Sequence, residues 1–296
     1  MIRYLKHEDI DKDQWNATLR NSQNRMVYAA SWYLDIVSPQ WEALVEDNYK
    51  SIMPLPAKKK YGLAYLIQPL FVQQLGVFSP FPVSQEVVDL YLQTIPKKFL
   101  WQCFYWNSKN PINHIPGAGV RINYELPLDR PYELIFGGYS ENTQRNLIKA
   151  QKAGIRVERM NDFCGFHECY QTLNKLSPND LEVFQLQQII NASVLKKTGQ
   201  ILLARDPEKE IVAGAFFLTE FDRIIYLTSF VAPKGYNHSA MFLLMDDMIK
   251  RHSSSQKVFD FEGSMVPGIA RFFSGFGSVK TEYFEYKKHL FSKLIL

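Results

Sequence analysis

Cysteine is scarce: only Cys103, Cys164 and Cys169 occur, an odd number with no CxxC pair. That excludes a disulfide-stapled miniprotein and leaves no metal framework, so structural or incidental thiols in a reducing compartment and no bound metal are expected. Charge of one sign is lacking too. Lys and Arg number 34 against 30 Asp and Glu, a net charge of +4 with a pI near 8.7. A dedicated nucleic-acid binder gathers a stronger excess on one stripe, so no DNA partner is expected. Long apolar runs are missing as well. The most apolar stretch, 62–81, is interrupted by Gln68, Pro69, Gln73, Gln74 and Pro80, and cannot cross a bilayer as a helix. Residues Met1 to Glu8 hold no apolar signal core. A cytoplasmic chain without a transmembrane segment is the expectation.

What is present is an ordinary globular composition, 46% hydrophobic and 22% charged, long enough at 296 residues for about two domains. Aromatics reach 14%, which suits a strand-rich interior. In the second half, strand candidates lie at 155–159, 201–205, 211–220, 223–231, 258–261 and 279–286. Helical patterns lie at 162–176, from Asn179 or Asp180 to 197, at 238–252 and at 267–273. Pro233 and Gly235 open a loop before the third of these helices. The first half repeats the order with strands at 2–5, 41–46, 49–55, 63–67, 99–105 and 119–126, and helices at 12–21, 30–37 and 84–95. Only the short helix between its last two strands is missing. The order β-α-α-β-β-β-α-β-α-β resembles the GNAT acyltransferase fold. Two such domains are expected, at 1–130 and 155–296, with linker helices at 131–154. The expected class is α+β, with mixed sheets flanked by helices.

The helix from Ser140 to Gly154 is the sharpest feature. Ser140 suits an N-cap, Glu141 the positive N-terminal end, and Gly154 the C-terminal stop. Residues Ser140 to Val157 resemble "S-x-x-x-R-x-x-I-x-K-A-x-K-x-G-V", the segment joining the two domains of the Fem peptidoglycan-bridge aminoacyltransferases. Phe259 to Ser264, then Arg271 to Gly277, resemble the family's "Y-D-F-x-G" and "F-K-x-G-F-G". The resemblance implies aminoacyl or acyl transfer to an amine, with a cell-wall or glycan precursor as acceptor. One departure stands out. The family's lysine, assigned to charge stabilisation, is Phe273 here, and a phenyl ring cannot stabilise an anion. No long heptad arm for tRNA is visible. An acyl-CoA co-substrate, acetyl-CoA or longer, is therefore as strong an expectation as aminoacyl-tRNA.

Candidate residues follow. Arg145, Asn146 and Lys149 share a helix face and suit an anionic group of the acceptor. Asp260 and Glu262 alternate on one strand face, where either can take a proton from an amine, and Asp260 or Glu262 can equally pair with Arg271. Lys234, Asn237, Ser239 and Ala240 match the GNAT loop that cradles the coenzyme A pyrophosphate at a helix N-terminus. Tyr226, Thr228 and Ser229 can contact a donor, and His238 can act as a base or stay solvated. Trp32 with Tyr33, and Gln73 with Gln74, line an acceptor groove or belong to the core. Lys58, Lys59 and Lys60 read as a solvated hairpin loop, with an acidic partner or anionic membrane as the minor reading. The rival to an enzyme is a non-catalytic ligand-binding protein built on degenerate GNAT domains.

Overall fold

The computed structural model describes residues 1–160, 163–177 and 180–289. The expected helix start at Asp162, the stop at Pro178 and the alternative start at Asn179 lie outside the described residues.

Two compact units form: Met1–Arg121 with the described residues from Glu282 on, and Ile122–Thr281. The first contains β1 (Ile2–Leu5), α1 (Lys12–Asn21), α2 (Ser31–Val37), β2 (Glu42–Glu46), β3 (Ser51–Leu55), β4 (Ala57–Lys60), β5 (Leu63–Ile67), α3 (Gln85–Thr94) and β6 (Phe99–Trp106). Strands β1, β2 and β3 pair antiparallel in sequence order. In the other sheet β4 pairs antiparallel with β5, and β5 runs parallel to β6. Capping explains the helix starts. The Asp11 carboxylate accepts from the backbone N–H groups of Asp13 and Gln14, and Ser84 accepts from that of Val87. Trp15, Trp41, Tyr28 and Tyr33 are fully buried, and Trp15 Nε1 donates to the Ala29 carbonyl at 2.7 Å. Lys58 to Lys60, expected as loop, are instead strand: Lys60 pairs with Leu63 across a two-residue turn.

The second unit takes the end of β7 (Ala118–Pro127) and then α4 (Tyr132–Gly137), α5 (Glu141–Lys152), β8 (Arg156–Met160), α6 (Phe163–Leu173), α7 (Leu181–Leu195), β9 (Gly199–Arg205), β10 (Ile211–Glu220) and β11 (Arg223–Val231). It closes with α8 (Pro233–Asn237), α9 (Ala240–His252), β12 (Val258–Asp260), α10 (Pro267–Ser274) and the start of β13 (Val279–His289). Strands β8 to β11 form an antiparallel meander, β12 lies parallel to β11, and β7 lies antiparallel to β12. The expected order holds, with the loop at Pro233 and Gly235 wound into α8. The partition departs from the expected boundaries at 130 and 155. Strand pairing sets it: β7 ends on β12, whereas Phe284 to His289 of β13 pair with β6. Helices α4 and α5 belong to the second unit, and α5 buries Thr143, Leu147 and Ala150.

A buried carboxylate ties α4 to α9. Asp246 accepts from the hydroxyls of Tyr132, at 2.8 Å, and Tyr139, at 3.0 Å. Burial raises its pKa above the ordinary carboxylate value, with the two tyrosine hydrogen bonds working against that rise. A raised folded-state pKa gives stability that is full below the unfolded value and lost as pH climbs through the folded one. An Asp246→Asn variant keeps an acceptor for both tyrosines and loses the ionisation. Its thermal midpoint is expected to match wild type near pH 4, about the unfolded aspartate value, and to exceed it at neutral pH.

Candidate functional site

The second unit opens along one seam. β11 and β12 pair only at Arg223 with Val258, Ile224 with Phe259, and Ile225 with Asp260. β11 continues to Val231 while β12 ends at Asp260, so the strands part after Ile225. A bulge sits at the parting. Tyr226 opposes Phe217 and Thr228 opposes Phe216, which leaves Leu227 as an extra residue. The bulge resets the alternation, bringing Tyr226 and Ser229 together in a hydrogen bond between their hydroxyls. Thr228 reaches Tyr170 of α6 instead.

A cavity of about 410 Å³ lies beside this seam. Tyr226, Ser229 and Val231 form one wall, Tyr236, Met241 and Phe242 a second, and Gly268, Ile269, Phe272 and Phe273 of α10 a third. Among the described residues that line it there is no Lys, Arg, His, Asp or Glu. Burial pushes the Tyr226 phenol up to about 12, against the hydrogen bond from Ser229, with the Glu262 charge adding to the rise. The phenol is therefore protonated at neutral pH. Phe273 is buried in an aromatic cluster with Tyr124, Tyr226 and Phe261. The ring packs as part of the cavity wall, where a lysine would have placed a charge.

The two motif segments meet in this unit. The Ser140 N–H, at the start of α5, donates to the Gly275 carbonyl at 2.8 Å. A Cβ on Gly275 would lie 2.4 Å from Thr143 Oγ1, so this close approach needs glycine. Asn146 accepts from the Ser239 hydroxyl at 2.7 Å, joining an expected acceptor residue to an expected cofactor residue. Arg145 and Lys149 are exposed on α5. Ser239 is the N-cap of α9 in the left-handed region, without capping it through its side chain. Ala240 starts the helix, and Asn237 is exposed at the end of α8. Lys234 is occupied elsewhere, paired with Asp206 and with Glu208 at 2.9 Å. His238 is half-buried as the C-cap of α8.

The two candidate bases separate. Asp260 is 1% exposed and accepts from Arg223 at 2.8 Å, Asn123 at 3.0 Å and the Glu262 N–H at 2.9 Å. Arg223 also donates to Glu125 at 2.8 Å. Burial opposes the Arg223 charge, but Asp260 and Glu125 outweigh it and hold the guanidinium above its ordinary pKa. The pairing partner is thus Arg223, whereas the expected Arg271 is exposed on α10. Glu262 is half-buried just past the end of β12, with φ of 57°. The first-unit candidates are packing residues. Tyr33 donates to the Phe71 carbonyl at 2.5 Å, Gln74 donates to Gln73 at 2.6 Å, and Trp32 stacks edge-on against Tyr33. Sequence reasoning missed Arg223, Glu125 and Asn123 as partners of Asp260, and Phe242, Ile269 and Phe272 as cavity wall. Only the apolar face of α10 carried a signal for the last two. Among the described residues no group of three or more His, Cys, Asp or Glu side chains is placed to hold a metal.

No family model matches the sequence, and no curated protein matches it significantly. Solved structures do. FemX aligns with a TM-score of 0.68 at 13% identity, over 97% of this chain and 98% of that one. A tandem GNAT protein from the clavulanic acid biosynthesis pathway aligns with a TM-score of 0.56 at 10% identity, over 97% and 98%. The C-terminal domain of a putative lysylphosphatidylglycerol synthetase from Agrobacterium fabrum gives 0.58 at 10% identity, over 94% and 91%. The chain has the tandem GNAT-like α+β fold that its element order and motifs led one to expect, and it resembles FemX.

Proposed function

We propose that this protein is an N-acyltransferase that moves an activated acyl group, carried as a coenzyme A thioester, to an amine acceptor. The observation that carries the reading is the cavity beside the parting of β11 and β12, bounded by the start of α9. An extended acyl-thioester arm laid there adds itself where β12 leaves β11 unpaired, and its carbonyl meets strand N–H groups suited to an oxyanion. The fit to coenzyme A is uneven. The walls suit an apolar acyl group and the neutral arm. The diphosphate would rest on backbone N–H groups at the start of α9 near Ser239 and Ala240, with Lys234 held back by its carboxylates.

In the proposed reaction the acceptor amine attacks the thioester carbonyl. Glu262, directly or through water, takes the amine proton, and the leaving thiolate takes a proton from Tyr226. Asp260 positions the turn that carries Glu262 and does not itself take the proton, because Arg223 and Asn123 occupy its oxygens. Arg145 and Lys149 offer cations to an acidic acceptor, such as a cell-wall or glycan precursor. The putative lysylphosphatidylglycerol synthetase and tandem GNAT neighbours fit this reading at the level of fold. The acyl-CoA pool places the reaction in the cytoplasm. Aminoacyl-tRNA is the weaker donor, because no described residue of the cavity lining is charged and Glu262 is assigned to the acceptor amine, which leaves no partner for an aminoacyl ammonium group.

A second reading has its own support. Phe273 in the aromatic cluster and Lys234 in its acidic clasp both suit a protein that binds a ligand without transforming it. Thermal stability separates binding from no binding. At 100 times its dissociation constant, an acyl-CoA raises stability by about 2.7 kcal/mol. Gly268→Trp is the control: Gly268 lines the cavity and a Cβ there meets nothing within 4 Å, so the indole is expected to occupy part of the space, and the variant's own thermal midpoint checks that the fold is kept. Release of thiol from the bound thioester when amines are added then separates enzyme from binder.

A further inference from the structure

The β4–β5 hairpin carries a residue that its fold does not need. Tyr61 and Gly62 form the two-residue turn, with φ of 51° and 81°. Such turns favour Asn, Asp or Gly at both positions, because a bulky side chain at positive φ is strained. Tyr61 bears that strain with its side chain outside the protein: the residue is 92% exposed, and the Lys60 ammonium sits 5.4 Å from the ring centre. Leu63 across the turn is 58% exposed. Lys58, Lys59 and Lys60 fill the adjoining strand. Lysines on an edge strand also discourage edge-to-edge aggregation. That role accounts for the lysines and leaves an exposed Tyr and Leu at the tip unexplained, since both would promote association.

A second feature adjoins the tip. A cavity of about 590 Å³ is bordered by Gly62 and Leu63 and by Lys6, Lys58, Lys59 and Lys98, together with Glu8 and Glu42. Its acidic members are already engaged. Glu42 accepts from Lys98 at 2.9 Å and from Tyr4 at 2.6 Å, and Glu8 lies 3.9 Å from Lys6. The uncommitted charge at this end of the first unit is therefore positive.

We propose that the hairpin docks on an anionic lipid bilayer, with Tyr61 and Leu63 in the interfacial layer and the lysines against head-group phosphates. Tyrosine is at home at a membrane surface, where its ring is in an apolar layer and its hydroxyl in water. Lysines beside it supply attraction to acidic lipids that falls with salt. The described residues contain no helix long and apolar enough to cross a membrane, and the contact proposed is peripheral.

Sedimentation with phosphatidylcholine vesicles, with and without phosphatidylglycerol, tests this. The protein is expected to sediment with the anionic vesicles, to stay free with the zwitterionic ones, and to be released by salt. Charge reversal at Lys58, Lys59 and Lys60 together is expected to weaken binding at least about 100-fold, from the strength of a lysine near an acidic surface. Tyr61→Asn is expected to weaken it severalfold while leaving the thermal midpoint unchanged or higher, since asparagine suits the turn. Equal binding to both vesicle types, or binding that survives charge reversal, overturns the proposal. So does a Tyr61→Asn variant with a lower midpoint and undiminished binding. An acidic protein or RNA as the partner would leave both vesicle types unbound, which overturns it equally.

Discussion

Replacing Arg223 by methionine is expected to destabilise the protein by about 3–5 kcal/mol, the range for stripping one partner from a buried ion pair. The guanidinium reaches both Glu125 and Asp260 at 2.8 Å, and Asp260 has almost no contact with water. Methionine fills similar space and offers no charge, so two carboxylates face each other with only Asn123 and a backbone N–H in reach of Asp260. For a chain of this size each kcal/mol shifts a midpoint by about 2–4 °C. Asp260→Asn is the milder change, since the amide oxygen still accepts from Arg223 and Glu125 still balances the charge. Urea unfolding of both variants checks the order. An Arg223→Met protein as stable as wild type would show that the carboxylates are held some other way.

Gly263→Ala is expected to cost about 3 kcal/mol or more, from overpacking together with a left-handed alanine. At φ of 61° its Cβ would lie 2.1 Å from the Ile122 carbonyl oxygen and 2.5 Å from the Asn123 Cα. These are backbone atoms of β7 and cannot swing aside, so β7 must shift from the end of β12. The Asn123 bond to Asp260 would stretch with it, and Glu262 next door would lose its placement. Gly268→Ala is the matched control, with open space around the new methyl group, and is expected to be neutral or slightly stabilising. Thermal unfolding of the pair reads the difference. If the two variants melt together, the close approach at Gly263 is not what fixes the turn.

The element order was legible in the sequence because its signals are local. Asp11, Ser84 and Ser140 cap the helices their neighbours predict, and the strands at Ile211–Glu220 and Arg223–Val231 fall on the expected residues. What could not be read depends on partners distant in sequence. Leu227 is a bulge only because Phe216 and Phe217 lie opposite its neighbours. Arg271 reads as a partner for the carboxylate until strand pairing brings Arg223 to Asp260. Lys234 looks like a phosphate ligand until the β9–β10 turn brings Asp206 and Glu208 to it. β4 was hidden because three consecutive lysines carry no apolar alternation, and an edge strand needs only one paired side. The end of β13 joins β6 through backbone hydrogen bonds, which leave no mark in side-chain patterning.

The cavity also sets a quantitative expectation for the proposed donor. Each methylene buried in its apolar walls contributes about 0.8 kcal/mol, or roughly a fourfold gain in affinity. Calorimetric titration of wild type and Gly268→Trp with saturated acyl-CoAs of increasing length tests the central claim most directly. The account predicts affinity that climbs with chain length until the cavity is full, and that is lost in Gly268→Trp while its thermal midpoint is unchanged. No binding at any length, or equal binding by the plugged variant, would contradict it.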